Sequence, residues 1–274
     1  MRNFSIIICF LTSTLIYGQI SIQDDLYNDN DSFIKFSSNR QIEMWNIYDY
    51  DPDPSEAKKA DPNFMQKRDQ RLGTYNINNE NGIDFITVRW ENGTTDRYLI
   101  LLIGNERSPI LYAGDGKPYF NSTKFKELRP YGYAEGNGGW ITASSSLTEG
   151  STRYSTDKLG FNIGECWAEG VKGYGIGETL TLNLLYTPYL YISSGFVSFS
   201  KPHLFRENTR IKRIKFSNEF GESEEILLKD MPHFQVIDTE MSLGTGVFKI
   251  EILEVYPGTK YTDTCVNSIL GIVR

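Results

Sequence analysis

The sequence predicts an all-β protein of two domains, an antiparallel sandwich or jelly roll preceded by a smaller antiparallel β domain. The chain has 274 residues, which is long enough for two domains of ordinary size. It contains 24 glycines and 17 tyrosines, which suit turn-rich β structure better than helix bundles. Apolar residues recur in short alternating runs, and no strong amphipathic helix is visible.

The small domain is predicted over residues 32–116. Two short extended runs, SFIKF and IEMWNIY, begin at Ser32 and Ile42. Two longer runs, GIDFITVRW and DRYLILLI, flank a strong hairpin signal at Asn92-Gly93, and a last run, SPILYAG, follows them. Residues 49–71 hold three prolines and many charges, so we expect a long surface loop there.

A linker is predicted over residues 117–130, inside a stretch that is rich in glycine, proline and polar residues. The second domain then covers residues 131–274. Its predicted strands are WITASSSL, ETLTLNLL, LYISSGFVSF, TRIKRIKFS, EEILLKD, HFQVIDTE and VFKIEILEVY. Short strands at this spacing indicate an antiparallel sandwich or jelly roll.

Residues 1–18 have the layout of a secretory signal peptide, with an arginine before an apolar run and a small residue, Gly18, after it. A buried N-terminal strand is the alternative. The run is too short to cross a bilayer and no other segment approaches the required length, so no membrane span is expected. We therefore expect a secreted or extracytoplasmic protein whose mature chain begins near Gln19.

The charge balance argues against nucleic acid as a partner. The formal net charge is -7. Lysines and arginines are scattered, apart from RIKRIK at residues 210–215, whose alternation predicts one small basic strand face. Phosphate binding needs a more concentrated basic surface than this.

Removing the predicted signal peptide leaves two cysteines, Cys166 and Cys265. An even number of cysteines in an oxidising compartment predicts a disulfide between them. Closing a loop of roughly 100 residues would stabilise the fold by about 4 to 5 kcal/mol on the chain-entropy account. Two isolated buried thiols are the alternative.

The segment CWAEGVKGYGIGE, residues 166–178, concentrates glycines beside a tryptophan and acidic residues. A phosphate-binding loop needs a buried strand before its glycines and a helix after them. Here the alternating run TLTLNL follows, which indicates a strand and disfavours phosphate. Two interpretations stay open: glycine turns that lead into this strand, and a loop that contacts carbohydrate.

Few residues could support catalysis or metal binding. His203 and His233 stand beside prolines and outside any paired-ligand spacing, and no G-x-S-x-G elbow is present. Asp49, Asp51 and Asp53 match the first positions of a calcium loop, but the required glycine and glutamate are missing. We expect no catalytic residue, no metal and no cofactor, although with 35 acidic residues a glycosidase pair stays an alternative.

The chain is better supplied for sugar binding. An aromatic face stacks on the apolar face of a pyranose ring, while carboxylates, amides and guanidinium groups bond to its hydroxyls. These residue types give the candidate glycan-binding residues Trp167, Glu169, Tyr174, Asn208, Arg210, Tyr261 and Asp263. Burial of Trp167 in the core, with purely structural loops around it, is the competing hypothesis.

The chain contains the four segments SSSLTE, CWAEGVKGYGIGETLTLNL, FRENTRIKRIKF and VYPGTKYTDTCVNSI. In their order and spacing they resemble the NADase-type glycan-binding domain family, a discoidin-like module of secreted bacterial proteins. The resemblance covers residues 131–274 and implies a galactose-binding-like jelly roll that recognises glycans with loops at one end. The matching positions are Trp167, Glu169, Gly170, Gly173, Gly175, Gly177, Glu178, Asn208, Arg210, Asp263 and Thr264.

The segment LGFNIGEC, just before Trp167, lacks the aspartate-glycine pair that is usual in this family, so the sequence leaves open whether a structural calcium is bound there. Residues 20–130 show no counterpart of the family's NADase catalytic part. We therefore expect a secreted, non-enzymatic glycan-binding protein whose N-terminal domain has a separate, unassigned role. A secreted glycoside-active enzyme and a cell-surface structural or protein-binding module are the alternatives, and the sequence leaves the oligomeric state open.

Overall fold

The computed structural model describes residues 22, 26–28, 32–37, 39–46, 68–104, 108–116, 118–120, 128–130, 140–185 and 187–272. The predicted signal peptide and the aspartates at positions 49, 51 and 53 lie outside the described residues. Within these residues the chain is all-β, as predicted, and its helical elements are one 3-10 turn (Thr156–Lys158) and one short helix (Leu204–Glu207). No helix in the described part is long and apolar enough to cross a membrane.

Eight antiparallel strands close into a barrel in the first part of the chain. They are β1 (Leu26–Asn28), β2 (Ser32–Phe36), β3 (Gln41–Asn46), β4 (Arg68–Glu80), β5 (Ile83–Trp90), β6 (Thr95–Ile103), β7 (Ser108–Tyr112) and β8 (Pro118–Phe120). Each strand pairs with the next, and β8 returns to β1 where Phe120 pairs with Asn28. The predicted hairpin at Asn92-Gly93 joins β5 to β6, with Gly93 at a φ of 83°.

Strand β5 shows how the barrel buries both of its faces. Ile86, Val88 and Trp90 belong to the cluster of side chains that fills the barrel. Ile83 and Phe85 belong to a second cluster on the outer face. Because successive side chains of a strand point to opposite faces, the apolar residues at both odd and even positions of β5 account for this double burial.

The second part of the chain is a jelly-roll β-sandwich built on a ten-stranded sheet and a small hairpin. Its strands are β9 (Leu128–Pro130), β10 (Trp140–Ala143), β11 (Thr148–Glu149), β12 (Thr152–Arg153), β13 (Trp167–Ala168), β14 (Thr179–Leu184), β15 (Tyr189–Ser194), β16 (Thr209–Asn218), β17 (Ser223–Leu227), β18 (Gln235–Val236), β19 (Gly246–Tyr256) and β20 (Thr264–Ile272). The sheet order is β10-β14-β19-β16-β20-β15-β18, with β17 on β16 and with β9 and β13 on β20.

The sandwich core follows the alternation of its strands. Along β14, Leu180, Leu182 and Leu184 are buried while the residues between them are partly exposed. They pack with apolar residues of β16, β19 and β20 in one cluster. This period of two is the pattern from which the sequence predicts these strands.

The barrel and the sandwich share an apolar interface. Phe85 and Leu101 of the barrel lie in one buried cluster with Val197, Phe205 and Phe234 of the sandwich. Burial of apolar surface stabilises by about 25 cal/mol per Å2, so an interface made of such large side chains couples the two parts strongly. The outer face of the barrel is therefore a packing surface for the sandwich.

Polar contacts reinforce this interface. The carboxylate of Asp115, just after β7, accepts hydrogen bonds from the hydroxyls of Ser198 at 3.1 Å and Ser200 at 2.6 Å and from the backbone N–H of Phe199. The backbone of Leu102 also pairs with the sandwich: its N–H donates to Nδ1 of His233, and its carbonyl accepts from the N–H of Phe234. These contacts satisfy polar groups that the interface removes from water.

Several strands differ from the sequence expectations. Strand β1 lies before the predicted start of the small domain at residue 32, and β8 lies inside the predicted linker, yet both belong to the barrel. The predicted loop over residues 49–71 ends early, since β4 begins at Arg68 and pairs with both β3 and β5. Strand β9 falls inside the predicted linker and pairs with β20. Strand β20, which is paired with both β15 and β16, is missing from the predicted strands. Strand β4 has few apolar residues, and pairing with both neighbours satisfies its backbone N–H and C=O groups.

A candidate ligand-binding cleft at the loop end of the sandwich

Three loop segments meet at one end of the sandwich: residues 144–178, 195–208 and 257–263. They converge because β16 and β20 start side by side in parallel, with Thr209 opposite Thr264. Backbone bonds join the segments, from Glu169 N–H to the carbonyl of Thr264 at 3.2 Å and from Thr209 N–H to the carbonyl of Asp263 at 3.1 Å. The segments that the sequence analysis singles out therefore form one surface.

A cleft of about 160 Å3 lies between these loops. Its buried floor contains Cys166, Ala168 and Cys265. The side chains above the floor are aromatic, aliphatic or polar: Leu147, Glu149, Tyr154, Phe196, Leu204, Asn208, Tyr261 and Asp263. Glu149 and Tyr261 are exposed, which places them at the rim. The cleft is thus small, aromatic and open to solvent.

Strand pairing creates the floor of the cleft. Strand β13 pairs with β20 so that Ala168 lies opposite Cys265. This register brings Cys166 and Cys265 into one small cluster, on which Tyr154 and Phe196 pack. Burial raises the pKa of the Cys166 thiol well above its ordinary value, and the neighbouring Cys265 raises it further.

The predicted disulfide is not formed in the structure. Both Cys166 and Cys265 are free, buried thiols. Their burial agrees with the alternative that both cysteines are buried free thiols. Because the two side chains lie in one cluster, a disulfide between them stays a prediction.

Trp167 is not a sugar-stacking residue, contrary to the sequence expectation. Its side chain is 0% exposed and belongs to the main sandwich core. Its indole N–H donates to the backbone carbonyl of Ser145 at 3.0 Å. A ring that packs inside the core offers no free face to a ligand, so the competing hypothesis of a core tryptophan is correct.

Glu169 is also buried and holds loops together instead of facing solvent. Its carboxylate accepts hydrogen bonds from the backbone N–H of Val171 at 2.8 Å and of Thr264 at 3.4 Å. Burial raises the pKa of Glu169, while these two donors oppose the rise. Gly175, at a φ of 63°, lies against this side chain, and a Cβ there would collide with it. The glycine-rich segment is therefore a set of tight turns around a buried carboxylate, and strand β14 follows it.

Arg210 and Asn208 are buried structural residues as well. The guanidinium of Arg210 forms a two-pronged ion pair with Asp230, from Nε to Oδ1 at 2.9 Å and from Nη2 to Oδ2 at 3.1 Å. The side-chain amide of Asn208 donates to the carbonyl of Leu204 at 3.0 Å, and this hydrogen bond caps the end of the short helix. Asn208 also lines the cleft. Arg210 does not line the cleft.

The basic strand face predicted at residues 210–215 is neutralised by carboxylates. Lys212 Nζ lies 2.8 Å from Glu254 Oε2, and Arg213 contacts both Glu225 and Glu254. A bulge between Ile211 and Arg213 also interrupts the strict alternation. These cations are therefore used in cross-strand pairs.

The structure brings Asn208, Tyr261, Asp263 and the two cysteines together at the cleft. Tyr174, 42% exposed, lies on the glycine-rich segment and does not line it. Glu149, Tyr154 and Phe196 also line the cleft but are not among the residues predicted from sequence, because nothing local marks them as site residues. Gly195, at a φ of 103°, ends β15 and is the signal that could have placed Phe196 in a loop instead of a strand.

Comparison with known proteins agrees with this fold. Residues 132–270 match the family described as NAD glycohydrolase translocation F5/8 type C domain, which is half of the chain. The chain belongs to this family. The match covers the sandwich and its loop end, so it includes the whole cleft, whereas the barrel lies outside it.

Two solved structures share a distant likeness with this F5/8 type C domain chain. The family 32 CBM from C. perfringens NanJ, in complex with galactose, has 12% identity over 53% of this chain and 98% of its own, at a TM-score of 0.37. A mutant arabinofuranosyltransferase AftD from Mycobacteria has 15% identity at the same TM-score, over 50% of this chain. This chain covers 12% of the length of that enzyme. No curated protein matches the chain.

Proposed function

We propose that the protein is a secreted carbohydrate-binding protein that holds one sugar ring in the cleft. The observation that carries the proposal is the cleft itself, an aromatic and polar depression at the loop end of an F5/8 type C domain. Small ligand sites combine apolar walls with a few polar groups that fix orientation. A volume of about 160 Å3 corresponds to roughly five water molecules of liquid, which suits a single ring better than a long chain.

Each part of the cleft has a role in this proposal. Tyr261 and Phe196 pack against the apolar C–H face of the ring. The carboxylates of Glu149 and Asp263 accept hydrogen bonds from sugar hydroxyls, since ionised carboxylates are strong acceptors. The buried thiols of Cys166 and Cys265 give the ring an apolar floor.

The same geometry favours binding over catalysis. A glycosidase needs a general acid whose pKa is raised by an apolar environment beside the substrate. Burial does raise the pKa of Glu169, but that carboxylate accepts backbone hydrogen bonds and does not line the cleft. Glu149 is exposed at the rim.

A glycan array with the wild-type chain tests the proposal, followed by Tyr261→Ala. Tyr261 is 37% exposed, so its removal should not unfold the protein. Loss of an aromatic anchor should cost on the order of 1 to 3 kcal/mol, about 5- to 150-fold in affinity. The matched control is Tyr189→Ala, an exposed tyrosine at the opposite end of the sandwich, which should bind like wild type. A blank array, or equal losses in both variants, would refute the proposed site.

Secretion is tested separately. The proposed mature chain begins near Gln19, and the intact mass of exported protein decides it. A chain that still carried Met1 after export would contradict the signal peptide.

A further inference from the structure

The charged residues that line the cleft are all acidic. Glu149 and Asp263 contribute carboxylates, and the lining residues in the described part of the chain include no lysine, arginine or histidine. Cations at the site favour recognition of an acidic sugar, because arginine and lysine form strong charge-assisted hydrogen bonds with a carboxylate. The cleft therefore opposes acidic ligands.

Three neighbouring cations are paired with other groups. Lys260 Nζ lies 3.6 Å from Glu207 Oε2 and 4.8 Å from the centroid of the Tyr261 ring. Arg206 and Arg210 both pair with Asp230. These three cations are thus engaged by other groups, and none of them lines the cleft.

Three aromatic side chains share the cleft with these two carboxylates. Tyr154, Phe196 and Tyr261 line it, and Tyr154 and Phe196 also pack on the cysteine cluster. Aromatic faces carry partial negative charge and attract ammonium groups, most strongly when the cation loses some of its water.

Burial first, and neighbouring carboxylates in addition, raise the pKa values of Tyr154 and Cys166 in the cleft. Burial raises the pKa of Tyr154, and the carboxylate of Glu149 raises it further. For the Cys166 thiol, Glu165 and Asp263 add to the effects of burial and of Cys265. New negative charge is thus disfavoured at two positions of the cleft.

We propose that the cleft selects a sugar that carries a protonated amino group, a de-N-acetylated amino sugar within a glycan, over neutral and acidic sugars. This inference rests on the proposed carbohydrate-binding function and specifies the ligand class of the same site. The ammonium lies between the carboxylates of Glu149 and Asp263 and against the aromatic faces, while the ring packs above the cysteine floor.

The test is calorimetric titration of the full chain at constant ionic strength with three oligosaccharides of equal length. They are oligomers of glucosamine, of N-acetylglucosamine and of glucuronic acid. We expect the glucosamine oligomer to bind at least about 10-fold more tightly than the N-acetylated one and the glucuronic acid oligomer to bind most weakly. Equal affinity for the first two would overturn the inference and leave carbohydrate binding intact. A failure of all three together with a blank array would refute the proposed function.

Charge-neutralising variants separate the cleft from bulk attraction. Glu149→Gln and Asp263→Asn should each lower affinity for the glucosamine oligomer roughly 10-fold and change that for the N-acetylated oligomer much less. Glu240→Gln removes the same charge from an exposed residue at the opposite end of the sandwich and should leave the preference unchanged. If Glu240→Gln weakens binding as much as the cleft variants do, attraction by the net charge of the chain explains the result and the inference is wrong.

Discussion

The indole N–H of Trp167 donates to the carbonyl of Ser145 at 3.0 Å, which ties the sandwich core to the first loop of the cleft. Trp167 therefore supports the site from inside. We expect Trp167→Ala to lower the free energy of unfolding by about 3 to 5 kcal/mol, because it leaves a large cavity in a packed core. Urea denaturation measures this loss.

The exposed Tyr174 provides the control for that prediction. Tyr174→Ala should change the free energy of unfolding by less than about 0.5 kcal/mol, because surface changes away from special features are nearly neutral. Wild-type stability in Trp167→Ala would show that the side chain is not part of the core.

The ion pair of Arg210 with Asp230 should be a strong determinant of stability. The Arg210 side chain is 7% exposed, so Asp230→Asn leaves a buried cation with only carbonyl partners. We expect a loss of about 3 kcal/mol in the free energy of unfolding. Glu225→Gln, which removes the exposed partner of Arg213, should cost less than about 1 kcal/mol. Similar losses in both variants would contradict a special role for the buried pair.

Glu169 should make stability depend on pH. Burial raises its pKa in the folded protein, so folding favours the protonated carboxyl. Its contribution to stability is then fully present below its ordinary pKa of 4.5 and is lost as pH rises through the raised folded value. The difference in unfolding free energy between wild type and Glu169→Gln should decline over this range. A difference that does not change with pH, or that grows as pH rises, would be inconsistent with the raised pKa.

A disulfide between Cys166 and Cys265 remains a prediction for the exported protein. If it forms, it should raise the free energy of unfolding by about 4 kcal/mol, because it closes a loop of roughly 100 residues. Non-reducing peptide mapping of exported protein detects the bond. Recovery of both thiols in alkylated form would show that the structure with two free cysteines is the mature state.

The fold is predictable from sequence wherever side chains alternate against a core. Strands β5 and β14 follow from their apolar periodicity, and the β5–β6 hairpin follows from its Asn-Gly turn. Strand β4 is not predictable in this way, because it is mostly polar and has no alternating apolar pattern. It is stabilised by pairing with β3 on one side and β5 on the other. Local pattern carries no information about such pairing partners.

The candidate site was predictable in its position and only partly in its residues, since Asn208, Tyr261 and Asp263 line the cleft but Trp167, Glu169, Tyr174 and Arg210 do not. The segments around Trp167, Arg210 and Asp263 do meet at one end, as the family resemblance implies. The sequence of such a segment does not show which of its large side chains are buried. Trp167 and Arg210 were therefore predicted to contact a glycan, although both are buried in the structure. Phe196 lines the cleft because the chain turns at Gly195, and the direction of that turn depends on tertiary packing.

The short helix Leu204–Glu207 faces two ways: Leu204 lines the cleft, and Phe205 packs into the interface with the barrel. The guanidinium of the next residue, Arg206, lies against Gly82 of the barrel. A displacement of Phe205 at the interface should therefore also move Leu204 at the cleft. Thermodynamic linkage makes this effect reciprocal, so substitutions of Phe85 in the barrel should alter affinity at a cleft that they do not touch, and a bound ligand should protect the barrel from unfolding.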